Sequence, residues 1–359
     1  MTHSSTPPIY TKKERQSNLE LFRIFLMLMI IAHHYVVNSG IKKCFDPSDI
    51  TANMIFLQLF GGGGKIGINC FLLITGYFMC KQQITLRKFM KLFLEVKFYY
   101  FSIFLIFLLT GYELLSASRV THLIFNISYE LGKSFTSGYM LLFFLIPFVN
   151  VFINATDGKT LLHAIATLMI AFTVTGTLLD NDFYEYSGWY VAVYLMGAYI
   201  RLYPSRWTES LQPSIWMTVI STVFACASVL ALTYLSHLKG TMITTYYMVN
   251  DSNKLLAIAS ALSLFLLFKN IPMRQNRVVN LMAQATFGVL LIHANSNAMR
   301  QWLWRDLLDV PGQYASATLW VHAVFSVAAI YMICVCIDLA RIYLLERPVF
   351  ALYDRIITK

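Results

Sequence analysis

Four polar side chains able to do chemistry lie in one apolar stretch, residues 19–38. It reads LELFRIFLMLMIIAHHYVVN and contains Glu20, Arg23, His33 and His34. A histidine can accept a proton near neutral pH or act as a nucleophile, and an arginine can bind a phosphate or a carboxylate. Ionisable groups are rare in segments apolar enough to span a membrane. Their presence here therefore indicates a functional site.

Helical spacing distinguishes the two histidines. In an α-helix, Arg23 and His34 share a face to within about 20° and lie about 16 Å apart along the axis, whereas His33 is rotated about 80° away. Glu20 precedes Arg23 by three residues, close enough for an ion pair. The stretch thus predicts a polar stripe of Glu20, Arg23 and His34. Two other interpretations stay open: interfacial histidines with a snorkelling arginine, or the proton path of a transporter.

Other polar side chains interrupt later apolar stretches. Asn69, Thr75 and Tyr77 lie in a stretch that runs into a basic cluster. His293 and Arg300 are seven residues apart and would share one helical face. We take these five residues as candidates for substrate binding. An ordinary polar cap at a membrane interface would explain the His293 and Arg300 segment equally well.

The composition indicates that membrane-spanning helices must position these residues. Hydrophobic residues make up 57% of the 359 residues and charged residues 13%, against roughly 45–50% and 25% in soluble domains. The net charge of +10 could suggest nucleic acid, but the basic residues lie in short clusters beside apolar runs, as the positive-inside rule describes. We therefore predict no nucleic-acid partner. The six cysteines show no metal-ligand spacing, so we predict no metal site.

The fold predicted is an all-α integral membrane bundle of about ten transmembrane helices. Residues 1–18 would form a cytoplasmic N-terminal segment, 19–350 the membrane domain and 351–359 a cytoplasmic tail. Lys and Arg are denser in alternate loops, which predicts that both termini are cytoplasmic. The predicted spans are 19–38, 54–79, 91–112, 137–154, 160–179, 188–203, 214–236, 254–271, 280–299 and 318–345.

Several stretches together resemble the acyltransferase-3 family of integral membrane enzymes, in particular its stand-alone Gram-positive and Bacteroides branch. An acidic residue, an arginine three positions on and a histidine eleven further resemble the family's first-helix signature, here Glu20, Arg23 and His34. NCFLLITGYFM, with Thr75 and Tyr77, resembles the end of its second helix. Later stretches resemble further blocks of the family: FLIPFVN, YLMGAYIRLY, LSLFLLFKNI, ATFGVLLIH and LERPVF.

The resemblance implies transfer of an acyl group, usually acetyl, from cytoplasmic acetyl-CoA to a sugar hydroxyl of the cell envelope, in a bacterial inner membrane. His34 would be the general base or the acyl carrier, and Glu20 would orient Arg23. No cofactor would be bound permanently. The partners expected are acyl-CoA, a glycan or lipid-linked sugar, and the lipid bilayer. The CoA phosphates would be held by a basic cluster that consists of Arg87, Lys88, Lys91 and Lys97.

Two functions of other kinds also suit a polytopic membrane protein. A transporter or flippase for a lipid-linked glycan would need a path with paired charges and often has repeat symmetry, and no repeat is visible in the sequence. A glycan polymerase would usually bring a large outward loop, whereas the predicted outer loops are short. Labelled acetyl-CoA distinguishes an acyltransferase from both. The acceptor sugar and the acyl length are not encoded in any motif.

Overall fold

The structure is a computed structural model that describes residues 15–131, 134–179 and 186–357. Within these ranges the regular elements are helices, with no strand. Residues 1–14 of the predicted N-terminal segment and 358–359 of the predicted C-terminal tail lie outside the described residues, and residues 351–357 of the tail belong to the last helix. The helices are α1 (Ser17–Val37), α2 (Ala52–Phe60), α3 (Gly64–Met79), α4 (Leu86–Leu109), α5 (Ala117–Tyr129), α6 (Phe135–Ala155), α7 (Gly158–Met169), α8 (Thr175–Leu178), α9 (Tyr186–Leu202), α10 (Leu211–Lys239), α11 (Leu255–Asn270), α12 (Arg277–Gln284), α13 (Thr286–His293), α14 (Asn297–Gln301), α15 (Leu319–Arg341) and α16 (Arg347–Ile357).

Every predicted span falls on a helix or on a pair of consecutive helices, so the all-helical membrane class is confirmed. Among the described residues, seven helical segments are long and apolar enough to cross a membrane, or eight if a bent pair counts as one span. The remaining predicted spans, α9 and α11, are shorter helices of 17 and 16 residues. The predicted number of about ten spans and the cytoplasmic side of the termini remain predictions.

The outer surface is apolar on the helices that enclose the bundle. Large hydrophobic side chains stay exposed there, among them Phe144 and Phe148 on α6, Phe224 on α10 and Phe325 on α15. A soluble domain rarely exposes such continuous apolar surface. The helices thus face lipid, and the chain is an integral membrane protein.

The first helix packs against several other helices and leaves Leu21 and Phe25 exposed on its outer face. It packs against α3, α11, α12, α13 and α15, and its residues Phe22, Leu26, Ile31 and Tyr35 are fully buried. An apolar helix surrounded by other helices can turn a polar face only toward an internal cavity. The location of α1 therefore directs its arginine and histidines into the interior of the protein.

Glycines allow the helix beside α1 to approach its neighbours closely. A Cβ at Gly76 of α3 would overlap the carbonyl oxygen of Tyr194, and a Cβ at Gly197 of α9 would overlap that of Leu73. Small residues at such crossings let helix backbones touch, as is common in membranes. This contact holds α3 in position beside α1.

The ninth predicted span is broken. The segments Arg277–His293 and Asn297–Gln313 meet at an angle of 93°, and the Ser296 side chain accepts a hydrogen bond from Met299 N and so begins a new helix. The predicted shared helical face of His293 and Arg300 is therefore wrong, because α13 ends at His293. The break instead places His293 at a helix terminus inside the bundle.

Candidate active site

A cavity of about 410 Å³ lies in the half of the bundle where α1 ends. We call it the His34 cavity. His33 and His34 line it from α1, Lys65 lines it from α3, and Arg300 lines it from beyond the break. The remaining wall includes the apolar side chains Ile30, Ile68, Phe135, Leu290 and Leu291. A concave pocket with a few convergent polar groups is the usual form of a catalytic site.

Hydrogen bonds fix the tautomers of two histidines at this cavity. His293 Nδ1 lies 2.6 Å from the carbonyl oxygen of Val289, and a carbonyl only accepts, so Nδ1 carries the proton. His293 is fully buried, and in its neutral form Nε2 is then an acceptor. His34 Nδ1 lies 3.0 Å from that Nε2 and donates to it. The lone pair of His34 therefore resides on Nε2.

Among the described residues nothing hydrogen-bonds to His34 Nε2, so this nitrogen is available for base or nucleophile chemistry. A third group orients the histidine and fixes its tautomer, as in the hydrolase triads, but here a second imidazole and a carbonyl replace the carboxylate. Sequence reasoning selected both histidines and did not foresee that they bond to each other. They are 259 positions apart in the chain, so local spacing carries no signal of the contact.

His33 occupies a different part of the same cavity. Its Nδ1 lies 2.6 Å from the carbonyl oxygen of Gly61, at the bend between α2 and α3. A Cβ at Gly64 would overlap the His33 ring, so the helix start packs directly on it. The two histidines thus point to separate partners, as their helical phase predicts. His33 thus holds the segment just before α3, whose residues Gly64, Lys65 and Ile68 line the cavity.

Arg23 lies in a second cavity of about 190 Å³, nearer the start of α1. We call it the Arg23 cavity and call this end of the bundle the N-terminal side. Glu20 Oε2 is 3.5 Å from Arg23 Nη1, and the other carboxylate oxygen of Glu20 is 3.9 Å from Arg15. Glu20 thus lies between two arginines, and its contact with Arg23 matches the predicted pair. The stripe residues Arg23 and His34 open into separate cavities.

The three candidates on α3 have three different locations. Thr75 lines the Arg23 cavity and lies 3.3 Å from the hydroxyl of Tyr139. The Tyr77 hydroxyl accepts from Arg201 at 2.8 Å, at the end of the helix. Asn69 is fully buried and bridges the Ser252 carbonyl and the Trp189 indole. Thr75 thus lies in the cavity of Arg23, whereas Tyr77 lines a separate cavity of about 420 Å³ at the start of α1.

Beyond the His34 cavity lies a polar vestibule of about 130 Å³, which shares Tyr100, Glu130, Asn295 and Arg300 with it. Glu130 accepts from the Tyr100 hydroxyl at 2.8 Å, and Arg300 Nε donates to the Ser296 carbonyl. Carboxylate, amide and guanidinium groups can all bind hydroxyls. The vestibule therefore gives the His34 cavity a polar extension that is suited to binding hydroxyl groups.

The predicted CoA-binding cluster is engaged within the protein itself. Arg87 forms two 2.9 Å bonds to Asp354, and Lys91 lies 2.7 Å from Glu346. Lys88 donates to Gln82 and to the Gln83 carbonyl. Lys97 donates to the Ile124 carbonyl at 2.7 Å and to Asn126 on α5, where Phe125 departs from helical geometry. The structure does not bring the four residues to one cavity.

A buried ion network lies behind the Arg23 cavity, and sequence reasoning missed it. The Arg341 guanidinium contacts Asp338, Glu346 and Glu95 at 2.7, 2.9 and 3.0 Å. Tyr99 also donates to Asp338 at 2.7 Å. The sequence feature that could have revealed this network is the presence of charged residues within apolar spans. Their pairing between α4 and α15 required the packed structure.

Comparison with known proteins identifies the family. Residues 16–339 match the acyltransferase-3 family, described as an acyltransferase domain. The chain belongs to this family. Comparisons with curated proteins and with solved structures give no match. As an acyltransferase-3 protein, the chain is a membrane acyltransferase, and the His34 cavity is its candidate catalytic centre.

Proposed function

We propose that this acyltransferase-3 protein transfers an acetyl group from acetyl-CoA on the N-terminal side to a hydroxyl of a cell-envelope sugar on the opposite side. The N-terminal side would face the cytoplasm of a bacterial cell, as the distribution of Lys and Arg predicts. The observation that carries the proposal is the free Nε2 of His34 at the wall of a cavity with a polar vestibule. Both features are what a base needs to reach an incoming hydroxyl.

In the proposed reaction, His34 Nε2 accepts the proton of the acceptor hydroxyl. The oxygen attacks the thioester carbon, a C–O bond forms and the C–S bond breaks. The proton then passes from His34 to the thiolate, and CoA leaves as the thiol. His293 keeps His34 in the productive tautomer and disperses the positive charge that forms on it. Holding both reactants at one nitrogen also supplies the proximity advantage common to such sites.

The same free nitrogen favours a second route, in which His34 Nε2 takes the acetyl group itself. The acyl-histidine would then pass the group to the acceptor hydroxyl in a second step. Acid quenching after exposure to labelled acetyl-CoA distinguishes the routes. Label on the unmodified chain that is absent from His34→Ala supports the carrier route, and label found only on the glycan supports the base route.

The donor would enter at the N-terminal side. Arg23 lines the cavity there, and its guanidinium is suited to a phosphate or to the polar pantetheine amides. Glu20 contacts Arg23 through Nη1. The other guanidinium nitrogens of Arg23 are then available to a ligand in the cavity. Arg87 and Lys88 lie at the start of α4, where they could contact the nucleotide if their present partners exchange.

The deciding experiment follows labelled acetyl from acetyl-CoA in membranes that contain the chain and its native glycan. We expect label on the glycan as an O-acetyl ester, visible by NMR, and none with His34→Ala. The control is His237→Ala, a histidine outside both cavities that bonds to the Pro47 carbonyl. Full transfer by His34→Ala, or no transfer by the unmodified chain, would contradict the proposal. Movement of unacetylated glycan across the membrane would instead support the flippase alternative.

A further inference from the structure

The Arg23 cavity and the His34 cavity lie one after the other along the same helices. On α1 the lining changes from Arg23 and Met27 to Ile30 and His34, and Met27 and Ile30 are only about 4.5 Å apart along the helix axis. Four other helices contribute to both cavities in the same way. The paired lining residues are Thr75 and Ile68 on α3, Glu95 and Tyr100 on α4, Tyr139 and Thr136 on α6, and Phe287 and Leu291 on α13.

Among the described residues, two line both cavities: Phe135 and Leu290. Phe135 begins α6, and its ring stacks on Tyr139 at 5.5 Å between centroids and contacts Tyr190 at 5.9 Å. Leu290 lies on α13, one turn before His293, and is 8% exposed. The boundary between the two cavities is therefore made of apolar side chains held by their neighbours.

We propose that Phe135 and Leu290 select the length of the acyl group, an inference that rests on the proposed function. A donor in the Arg23 cavity must bring its thioester carbon to His34 Nε2, and its acyl chain then lies against these two side chains. An acetyl group adds one methyl beyond the carbonyl carbon. Each further methylene needs space that the phenyl ring and the isobutyl group already fill, and close-packed surroundings do not yield without a cost.

The chemistry of the step is unchanged by this selection. The C–S bond of the thioester breaks, the C–O bond to the acceptor forms, and the hydroxyl proton leaves through His34 to the CoA thiol. Phe135 and Leu290 bring no polar atom to the reaction, so they act by shape alone.

The test compares acetyl-CoA, propionyl-CoA and butyryl-CoA as donors in membrane vesicles that hold the full chain and its native acceptor. Release of the CoA thiol is measured, and vesicles with His34→Ala provide the blank. Leu290→Ala and Phe135→Ala should raise the butyryl-to-acetyl ratio by about tenfold or more, the usual discrimination for a methylene in an apolar pocket. Leu290→Val, a milder change that retains the fold, should raise it less.

The matched control is Leu266→Ala, which removes the same atoms from a leucine of α11 that is 3% exposed and lies in neither cavity. Its donor ratio should equal that of the unmodified chain. An unchanged ratio in the Leu290 and Phe135 variants would overturn the selection, as would loss of all turnover in a normally stable Leu290→Val. If the unmodified chain shows no His34-dependent release from acetyl-CoA, the proposed function itself fails, and the two failures are thus distinguishable.

Discussion

Two buried polar clusters in this protein are built on opposite principles. Around Arg341, three carboxylates contact one guanidinium, and Lys91 and Tyr99 bind two of those carboxylates in turn. Around His34, the His293 imidazole accepts from His34 Nδ1 and is itself held by the Val289 carbonyl, and among the described residues nothing bonds to His34 Nε2 at the cavity wall. In the first cluster the charged groups bind one another. In the second, the lone pair on His34 Nε2 is available to a molecule in the cavity.

The difference shows which buried polar groups in a membrane bundle can do chemistry. Charge buried in an apolar region needs partners of opposite charge, and the Arg341 cluster provides them while it joins α4 to α15. Such a cluster contributes a fixed contact between helices, because its charged groups bind mainly to one another. A reactive centre requires an oriented group whose last bonding position is open. Substitutions in the two clusters should therefore affect different measured properties.

The largest effect is expected from His34→Ala. Loss of a general base typically lowers the rate on the order of 100- to 10,000-fold, and loss of an acyl carrier would remove the activity altogether. The thermal midpoint in detergent should stay close to that of the unmodified chain, since the ring lies at a cavity wall. Acetyl transfer and the midpoint are measured on the same preparation. A large drop in the midpoint would show that His34 belongs with the structural cluster.

Arg341→Met should give the reverse pattern. Removal of one partner from a buried ion network leaves uncompensated carboxylates and typically costs about 3–5 kcal/mol of unfolding free energy. We expect a clearly lower thermal midpoint and a reduced yield in the membrane. Arg347→Met is the control, because Arg347 is exposed and contacts the Tyr343 ring. Equal stability of the two variants would show that the Arg341 cluster does not hold α15 in place.

His293 tests whether orientation contributes separately from the reacting nitrogen. His293→Ala leaves Nδ1 of His34 without an acceptor, and we expect kcat to fall on the order of 100-fold, in line with the loss of an orienting partner. KM for acetyl-CoA should change little, since the donor lies in the other cavity. His293→Gln retains an acceptor oxygen and should recover part of kcat. No recovery in the glutamine variant would argue that His293 fills space rather than orients His34.

The smallest effect is expected from His33→Ala. The variant loses one hydrogen bond to the Gly61 carbonyl, typically worth about 1 kcal/mol, and it loosens the segment that precedes the cavity-lining start of α3. Acetyl transfer should fall by less than tenfold, far less than in His34→Ala. Side-by-side assays of the two alanine variants measure the contrast. If His33→Ala is inactive and His34→Ala is active, then His33 is the base or acyl carrier and His34 is not.

Particular residues show how far the sequence could lead. The spacing in residues 19–38 was enough to separate His34 from His33 and to pair Glu20 with Arg23, because a helix relates residues by a fixed rotation. The same rule failed for His293 and Arg300, because Ser296 begins a new helix between them. It also could not anticipate that Asn69 would be buried in a helix contact, or that Arg87 and Lys91 would be paired with acidic residues near the end of the chain.

The sequence by itself determined the membrane-helix class, the positions of the helices along the chain and the family, because these depend on composition and on order within short segments. Only the tertiary structure decided that His34 meets His293, that two cavities meet at Phe135 and Leu290, and that three carboxylates gather around Arg341. Each of these depends on side chains brought together from distant helices. Contacts of that kind follow from how the whole bundle packs, which no local period encodes.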